Sequence, residues 1–263
     1  MANKKIRSIP VAVRELCHSF PETEEVESHG SPGFRARKGK FFAYFCVNHH
    51  GDGHVALWLN TPALEQSRLL NSSPHIFKPP YLGPSGWIGV ELNRGFSWQR
   101  AIELTQMAYA NSSPRKLVEK LGSPPAVAKP AVKMKPEEID RLKASRALKT
   151  LALLRNICLA LPEASESVAS GFVTWRAGKK GFASLYDYGK GLTASFWVGI
   201  ERQGPLEMDP RFFIPPYQGH NGWMALDVAK GAAERELRDL VVESYRHFAS
   251  RRSLAALDAA LGH

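Results

Sequence analysis

Cysteine is scarce in this chain of 263 residues, which contains three, at positions 17, 46 and 158. So small and odd a number excludes a disulfide framework, and Cys17 and Cys158 fall on apolar faces of predicted helices, where a thiol packs as a small hydrophobe. No apolar run approaches the roughly 18 residues that a membrane span needs. The initial segment, Met-Ala-Asn-Lys-Lys-Ile-Arg-Ser, has no apolar core behind its charges and does not form a secretory signal. We therefore expect a cytoplasmic protein without a membrane segment.

Known catalytic motifs are absent as well. The sequence has no nucleophile elbow, no phosphate-binding loop and no spacing of zinc ligands. The internal repeat described below matches none of the nine histidines with another histidine; His18 corresponds to Leu159 and His75 to Arg211. Chemistry shared by both repeats therefore cannot depend on histidine. We expect a protein without enzymatic activity, cofactor or bound metal.

Positive charge is in excess, since 35 Lys and Arg residues stand against 25 Asp and Glu residues and give a net charge of +10. The excess is uneven: +5 over residues 1–121, +4 over residues 122–149 and +1 over residues 150–263. This balance is compatible with a polyanionic partner such as nucleic acid, and equally with a role in solubility alone.

The chain is an internal duplication, and its clearest repeated element is a turn. Residues 77–87, FKPPYLGPSGW, match residues 213–223, FIPPYQGHNGW, with seven of eleven positions identical at an offset of 136. Earlier, RELCHSFPE at 14–22 matches RNICLALPE at 155–163 at an offset of 141. Because the matches keep the same order and nearly the same offset, they indicate two copies of one domain.

Each copy shows the same pattern of predicted elements. A helix with 3.6-residue periodicity ends at Pro21 or Pro162, and two strands follow around a glycine-rich turn, which is Asp187–Gly191 in the second copy. A short helix is predicted at Pro62–Leu70, and it is expected to be degraded in the second copy, where prolines and glycine interrupt residues 203–210.

A further strand and a closing helix with Tyr109 or Tyr245 complete each copy. The predicted class is α+β, with two tandem helix–antiparallel sheet–helix domains at residues 1–121 and 137–263. Residues 122–136 are basic and rich in proline and alanine, which predicts an extended, semi-rigid linker.

Basic residues recur at an exposed turn before the first aromatic strand of each copy. Lysine and arginine at such a turn can neutralise phosphates without reading a base sequence, or simply be solvated. The predicted nucleic-acid-binding residues are Arg35, Arg37, Lys38 and Lys40 in the first copy and Arg176, Lys179 and Lys180 in the second.

The repeated Pro-Pro-Tyr…Gly-Trp turn has two interpretations. Its prolines fix the turn while its rings cap the sheet edge, which is the favoured structural role. Alternatively, a pair such as Tyr81 with Trp87 stacks a base or closes a ligand pocket. The pocket residues of this alternative are Phe77, Tyr81, Trp87, Phe213, Tyr217 and Trp223.

Histidines and carboxylates offer weaker candidates. The segment Asn48–His54 carries His49, His50, Asp52 and His54, residue types that bind metals, but its glycines favour a plain hairpin turn and the second copy has no histidine there. The matched carboxylates Glu91 and Asp227 lack a visible acid–base partner and are interpreted as solvated surface residues.

The helix ending in Pro-Glu, the Gly-Lys-x-Phe-Ala type of strand, the Pro-Pro-Tyr…Gly-Trp turn and the tyrosine of the last helix resemble the MmcQ/YjbR family. The resemblance covers both copies, nearly the whole chain outside the linker. It implies a fold like that of frataxin (CyaY-like) and DNA binding with a double-wing arrangement. Most members that we would compare have one copy, so the tandem form departs from the family.

Taken with the basic turns, this resemblance predicts a non-enzymatic protein that binds nucleic acid, with DNA as the partner, through backbone phosphates. The first alternative is a small-ligand-binding protein that uses a groove beside the Pro-Pro-Tyr…Gly-Trp turn, and the second is an adaptor that binds protein partners. We expect a monomer whose two copies form a pseudo-twofold pair, because isologous pairing is the commonest oligomer mode.

Overall fold

The computed structural model describes residues 7–169, 171–187 and 191–261. Two compact units follow one another, and the first gives way to the second between Lys135 and Pro136. Each unit combines helices with a six-stranded antiparallel sheet, which confirms the predicted α+β class with two similar halves. The turn predicted at Asp187–Gly191 lies mostly outside the described residues.

The helices and strands of the first unit follow the predicted order with additions. Its helices are α1 (Ile9–His18), α2 (Gln66–Leu70), α3 (Trp98–Ser112) and α4 (Arg115–Val118). Its strands are β1 (Thr23–Ser28), β2 (Ser31–Ala36), β3 (Phe41–Val47), β4 (Val55–Asn60), β5 (Ile76–Phe77) and β6 (Trp87–Glu91).

The second unit repeats this order. Its helices are α5 (Pro136–Ile139), α6 (Ser145–Leu159), α7 (Ile200–Glu207), α8 (Glu234–Phe248) and α9 (Arg251–Leu261). Its strands are β7 (Ala164–Ala169), β8 (Phe172–Ala177), β9 (Lys180–Asp187), β10 (Leu192–Trp197), β11 (Phe212–Phe213) and β12 (Trp223–Asp227).

The two sheets have the same topology and register. The strand order is β1-β2-β3-β4-β6-β5 in the first and β7-β8-β9-β10-β12-β11 in the second, and every pairing is antiparallel. Trp87 opens β6 opposite Asn60, and Trp223 opens β12 opposite Trp197. The repeated turns of the sequence thus occupy equivalent places in the two units.

A β-bulge recurs in both sheets and shapes both cores. The ladder between β2 and β3 skips Phe42, and the ladder between β8 and β9 skips Phe182. An extra residue of this kind redirects its side chain. The two rings are fully buried and meet the rings of Tyr109 and Tyr245, with centroids 5.3 and 5.2 Å apart.

The closing helices join the core to the start of each sheet. The hydroxyl of Tyr109 donates to the carbonyl oxygen of Pro21 at 2.6 Å, and that of Tyr245 donates to Pro162 at 2.5 Å. The predicted apolar face of α3 is confirmed, since all of its members are buried: Trp98, Ala101, Ile102, Thr105, Ala108 and Tyr109.

The cysteines pack as predicted. Cys17 and Cys158 are fully buried on α1 and α6. Burial raises the pKa of both thiols, and the charge of a nearby glutamate raises it further, which keeps them protonated. No helix in the described part of the chain has the length and apolar character to cross a membrane.

Two hairpins and two helices differ from the sequence prediction. The hairpins β1–β2 and β7–β8 were not expected, because TEEVES in β1 has neither alternation nor an apolar run to indicate a strand. The helix predicted at Pro62–Leu70 is confined to Gln66–Leu70, since residues 63–65 form a turn. Its counterpart is not degraded: α7 has eight residues with Pro205 inside it, and its Gln203 is anchored to the turn before β12.

The proline-rich linker is bound to the first unit by hydrogen bonds. Ala131 N donates to the carbonyl of Arg7 at 2.8 Å, and the Trp98 indole donates to the carbonyl of Val127 at 2.9 Å. The Asn93 side chain donates to Met134 O at 3.0 Å and accepts from Met134 N at 2.8 Å. Residues up to Lys135 therefore belong structurally to the first unit.

Candidate nucleic-acid interface

Antiparallel pairing brings two repeated turns to the same end of each sheet. The basic turns (37–40 and 178–179) join β2 to β3 and β8 to β9, and the tyrosine turns (78–86 and 214–222) join β5 to β6 and β11 to β12. The ends of β4 and β10 lie between them. Three strand spacings separate the two turns, roughly 14 Å. We call this part of each unit the turn end.

The first basic turn carries two paired arginines and two exposed lysines. Arg35 lies in β2, with Nε 2.7 Å from Glu24 Oε1 and its guanidinium 5.4 Å from the centre of the Phe41 ring. Arg37 has a left-handed backbone (φ 48°) and pairs with Glu22. Lys38 and Lys40 are exposed and form no ion pair with any described residue. The lysines are therefore the cations most available to a ligand.

The second basic turn repeats this division. Arg176 donates from Nε to Ser167 Oγ at 3.1 Å and from a terminal nitrogen to Lys179 O at 3.0 Å, which holds its guanidinium against the turn. Lys179 and Lys180 are exposed, and neither is ion-paired within the described chain. Both copies thus offer two lysines at the turn end.

Further cations that were not predicted lie beside the basic turns. Lys120 Nζ is 3.6 Å from Glu22 Oε1, and Arg252 Nε is 3.7 Å from Glu163 Oε1. Glu22 and Glu163 match across the copies, and each is exposed with a left-handed backbone. The basic pair at 251–252 was a sequence signal for Arg252, whereas Lys120 lies beyond the matching pair at 115–116 and had no such signal.

The tyrosine turns each carry one largely exposed tyrosine, and the ring of Tyr81 also meets His49 edge-on at 6.2 Å. Tyr81 is 73% exposed and Tyr217 is 89% exposed, and both have left-handed backbones, with φ of 61° and 66°. This conformation costs a non-glycine residue roughly 1–2 kcal/mol. Strain of this kind persists where the surroundings impose it, and it is concentrated at functional sites.

A glutamine imposes the shape of each tyrosine turn. The Gln66 side-chain amide donates to the carbonyls of Gly83 and Trp87 at 2.7 and 2.8 Å. Gln203 makes the same two bonds in the second unit, at 2.7 and 2.9 Å. Sequence reasoning missed this pair, although the two glutamines lie 137 positions apart, within the offsets of the repeat.

Aromatic rings proposed for the alternative ligand pocket contact different neighbouring rings. Trp87 is buried, whereas Trp223 and Phe213 are half-buried. Their ring contacts include Phe77 stacked on His54 at 4.4 Å, Trp87 with Tyr44 at 5.5 Å and Trp223 stacked on Phe248 at 5.7 Å. Trp87 thus packs in the core of its unit, Trp223 is only half-buried, and the two tyrosines are exposed.

The interpretation of Glu91 and Asp227 as solvated residues was wrong. Their exposures are 2% and 7%. Glu91 Oε2 lies 2.7 Å from His54 Nδ1 and Glu91 Oε1 accepts from Asn93 N at 2.8 Å, while Asp227 accepts from Ala229 N at 3.1 Å. Both carboxylates end the last long strand, where the amides of the following turn need an acceptor.

The histidine segment forms a compact hairpin tip. Asn48 N donates to His54 O at 2.7 Å, and Gly53 N donates to Asn48 Oδ1 at 2.9 Å. His49 packs edge-on against Trp58, with centroids 4.7 Å apart, while His54 faces Glu91. Within residues 7–169, 171–187 and 191–261, no three His, Cys, Asp or Glu side chains are grouped to hold a metal ion.

The fold and the turn ends define a class of protein: two consecutive α+β domains, each with a basic turn and an exposed tyrosine at one end of its sheet. The chain belongs to the YjbR family, whose model matches residues 18–111 and 159–247. Among solved structures it is similar to the Deinococcus radiodurans protein DR2400, described with the domain DUF419. That similarity has 19% identity and a TM-score of 0.31, and it covers 35% of this chain and 72% of the other. No curated protein matches the chain.

Proposed function

We propose that the protein binds nucleic acid, with DNA as the principal partner, through the turn ends of its two sheets and without catalysing a reaction. One observation carries the proposal: both copies place two exposed lysines and one exposed tyrosine at the same end of the sheet. Cations neutralise phosphates, and an aromatic ring at the same end of the sheet meets a base or sugar of the same strand.

The lysines carry most of the expected binding energy. An arginine that is already paired with Glu24 or Glu22 must exchange a carboxylate for a phosphate, so its net gain is smaller. Lys38 and Lys40 exchange only water and counterions, and the release of counterions from DNA favours that exchange. Binding of this kind tolerates any base sequence.

The test is a fluorescence anisotropy titration of the full chain with labelled duplex DNA at several salt concentrations. We expect log affinity to fall linearly with log salt, with a slope of about −0.9 per phosphate contact. Replacing Lys38 and Lys40 by alanine lowers affinity for all sequences and flattens that slope by nearly 2. Replacing Lys179 and Lys180 has a weaker effect, because residues 150–263 have a net charge of only +1.

The matched control is Lys129→Ala with Lys133→Ala, which removes the same charge from the linker. It is expected to lower affinity less than the change at Lys38 and Lys40. If the linker variant loses all binding and the turn variants lose none, the folded domains are not the nucleic-acid site. The small-ligand alternative then replaces this proposal.

A further inference from the structure

The turn ends of the two units differ at three matched positions. In the first unit these positions hold Asn60, Asn111 and Ser112, which bond to one another. Asn60 Nδ2 donates to Ser112 Oγ at 3.0 Å, and Asn111 Nδ2 donates to Asn60 O at 3.3 Å. These hydrogen bonds join the end of β4 to the end of α3 through polar groups.

The second unit has aromatic rings in their place: Trp197, His247 and Phe248. The imidazole of His247 lies parallel to the Trp197 indole, with centroids 3.5 Å apart and planes at 10°. Phe248 meets Trp197 edge-on at 6.4 Å and stacks on Trp223 at 5.7 Å. His247 is exposed and the other three are half-buried, so the four rings form an aromatic shelf open to solvent.

Hydrogen bonds fix the shelf in place. Trp197 N donates to Ser244 Oγ at 2.9 Å, which ties β10 to α8. The Trp197 indole nitrogen donates to Asn221 O at 3.0 Å, in the tyrosine turn. Because its polar atom is already satisfied and His247 covers one of its faces, the Trp197 indole offers ring surface rather than a donor, and its orientation is set before any ligand arrives.

Positive charge lies beside the shelf. Lys180 opens β9, and two residues further on the carbonyl of Phe182 accepts a hydrogen bond from Ser244 of α8, which lies three residues before His247. The pKa of His247 is lowered, first by burial and then by the charge of Lys180, so the imidazole is neutral at pH 7. A neutral ring stack next to an ammonium group suits a ligand that presents a flat base and a phosphate together.

We propose that this aromatic shelf stacks an unpaired base while Lys180 contacts an adjacent phosphate, so that the second unit selects single-stranded nucleic acid. The inference rests on the proposed function and narrows its ligand for one copy. The first unit lacks the shelf because its polar side chains bond to one another at the same place. The first copy thus binds the phosphates of single or double strands, and the second copy stacks an unpaired base.

The experiment compares oligothymidine, oligouridine, an abasic oligonucleotide of the same length and a duplex, each titrated by anisotropy against the full chain. The variant carries His247→Asn and Phe248→Ser, which restore the residues of the first copy. We expect its affinity for both base-bearing single strands to fall roughly 5- to 150-fold, with little change for abasic and duplex ligands. The control variant, Leu148→Ser near the start of α6, makes an apolar-to-polar change at an exposed position outside the turn ends and is expected to bind like the native chain.

Tryptophan fluorescence gives a second measurement that does not depend on the stability of the double variant. Oligothymidine is expected to quench the native chain, and Trp197→Phe is expected to lose most of that quenching while it still binds. If the native chain binds abasic and base-bearing strands equally, the shelf proposal fails and the phosphate proposal stands. If it binds none of the four ligands, the proposed function itself fails.

Discussion

Tyr81 and Tyr217 are single residues whose strained backbone and exposed ring both bear on the proposed interface. Each ring is mostly exposed and stands on a left-handed backbone that glycine would adopt without strain. A tyrosine at this position lowers the free energy of unfolding through its backbone strain, and because its ring is mostly exposed, burial of the ring offsets little of that loss. We attribute its presence in both copies to a ligand contact.

Tyr217→Gly tests this trade between stability and binding. Relief of the left-handed strain, less the entropy that glycine adds to the unfolded chain, raises the free energy of unfolding by up to about 1 kcal/mol. Urea denaturation measures that gain, and anisotropy measures the expected loss of affinity for single-stranded DNA. A variant that is less stable and binds DNA normally contradicts the assignment.

Glu166 gives a prediction for acid conditions. Its pKa is lowered, chiefly by the hydrogen bonds from Arg155 at 2.7 to 3.0 Å. A carboxyl whose folded pKa is depressed stabilises the fold above its unfolded pKa of about 4.3, and that contribution is lost as pH falls through the folded pKa. Glu166→Gln should cost about 1 kcal/mol at pH 7 and nothing at the lowest pH.

The measurement is thermal unfolding between pH 7 and pH 3, with exposed Glu207→Gln as the control for a lost charge. Glu166→Gln and the native chain should converge in stability at low pH, whereas the control should follow the native chain throughout. A constant difference between Glu166→Gln and the native chain would show that the side chain acts by packing alone.

For single residues, the sequence predicts which positions match between the two copies better than it predicts which of them are buried. It identified the repeated tyrosines and tryptophans of the turn, but not that Trp87 is buried while Tyr81 is exposed. It also misplaced Glu91, because a carboxylate at a strand end gives no sign in sequence of the backbone amides that will surround it.

In each unit, a short helix positions the tyrosine turn that lies beside it. α2 and α7 differ in length and sequence, yet each supplies one glutamine to the carbonyls of a tyrosine turn. The turn is therefore positioned by a neighbouring helix as well as by its own prolines. That anchoring explains why the backbone strain at the tyrosine is sustained in both units.

Gln203→Ala measures the anchoring. It leaves two carbonyls of the turn without their donor, which costs about 2–3 kcal/mol in the unfolding of the second unit. The unfolding is followed by the fluorescence of the tryptophans, including the fully buried Trp175. Gln218→Ala, in the same turn but exposed, should change the stability by less than about 0.5 kcal/mol. Equal effects of the two changes would mean that the turn holds its shape without α7.

Long periodic helices and apolar strands were predictable from sequence, and edge hairpins were not. The apolar periodicity of α3 and α8 predicts their buried faces, because apolar residues at a 3.6-residue period lie on the one face of a helix that packs into the core. β1 is half-exposed along most of its length, so its residues carry no alternation, and its place is set by pairing with β2. That pairing with the neighbouring strand leaves no alternation within β1 from which the strand could be predicted.

The duplication gives the whole molecule two copies of one fold that differ in charge and in exposed aromatic residues. The first copy and linker hold most of the positive charge, and the second copy holds the aromatic shelf. A monomer with both sites on one chain stays a prediction, and light scattering on the purified protein checks it. A mass near 29.2 kDa is expected, and a concentration-dependent doubling of that mass would contradict it.

The central claim is that nucleic acid contacts the turn ends of the sheets, and acetylation footprinting of lysines tests it most directly. The full chain is acetylated with and without DNA at low salt, and each lysine is followed by mass spectrometry. We predict protection of Lys38, Lys40, Lys179 and Lys180, with Lys149 on α6 unchanged. Protection of Lys149 or of the linker lysines alone, with the four turn lysines fully reactive, would contradict the claim.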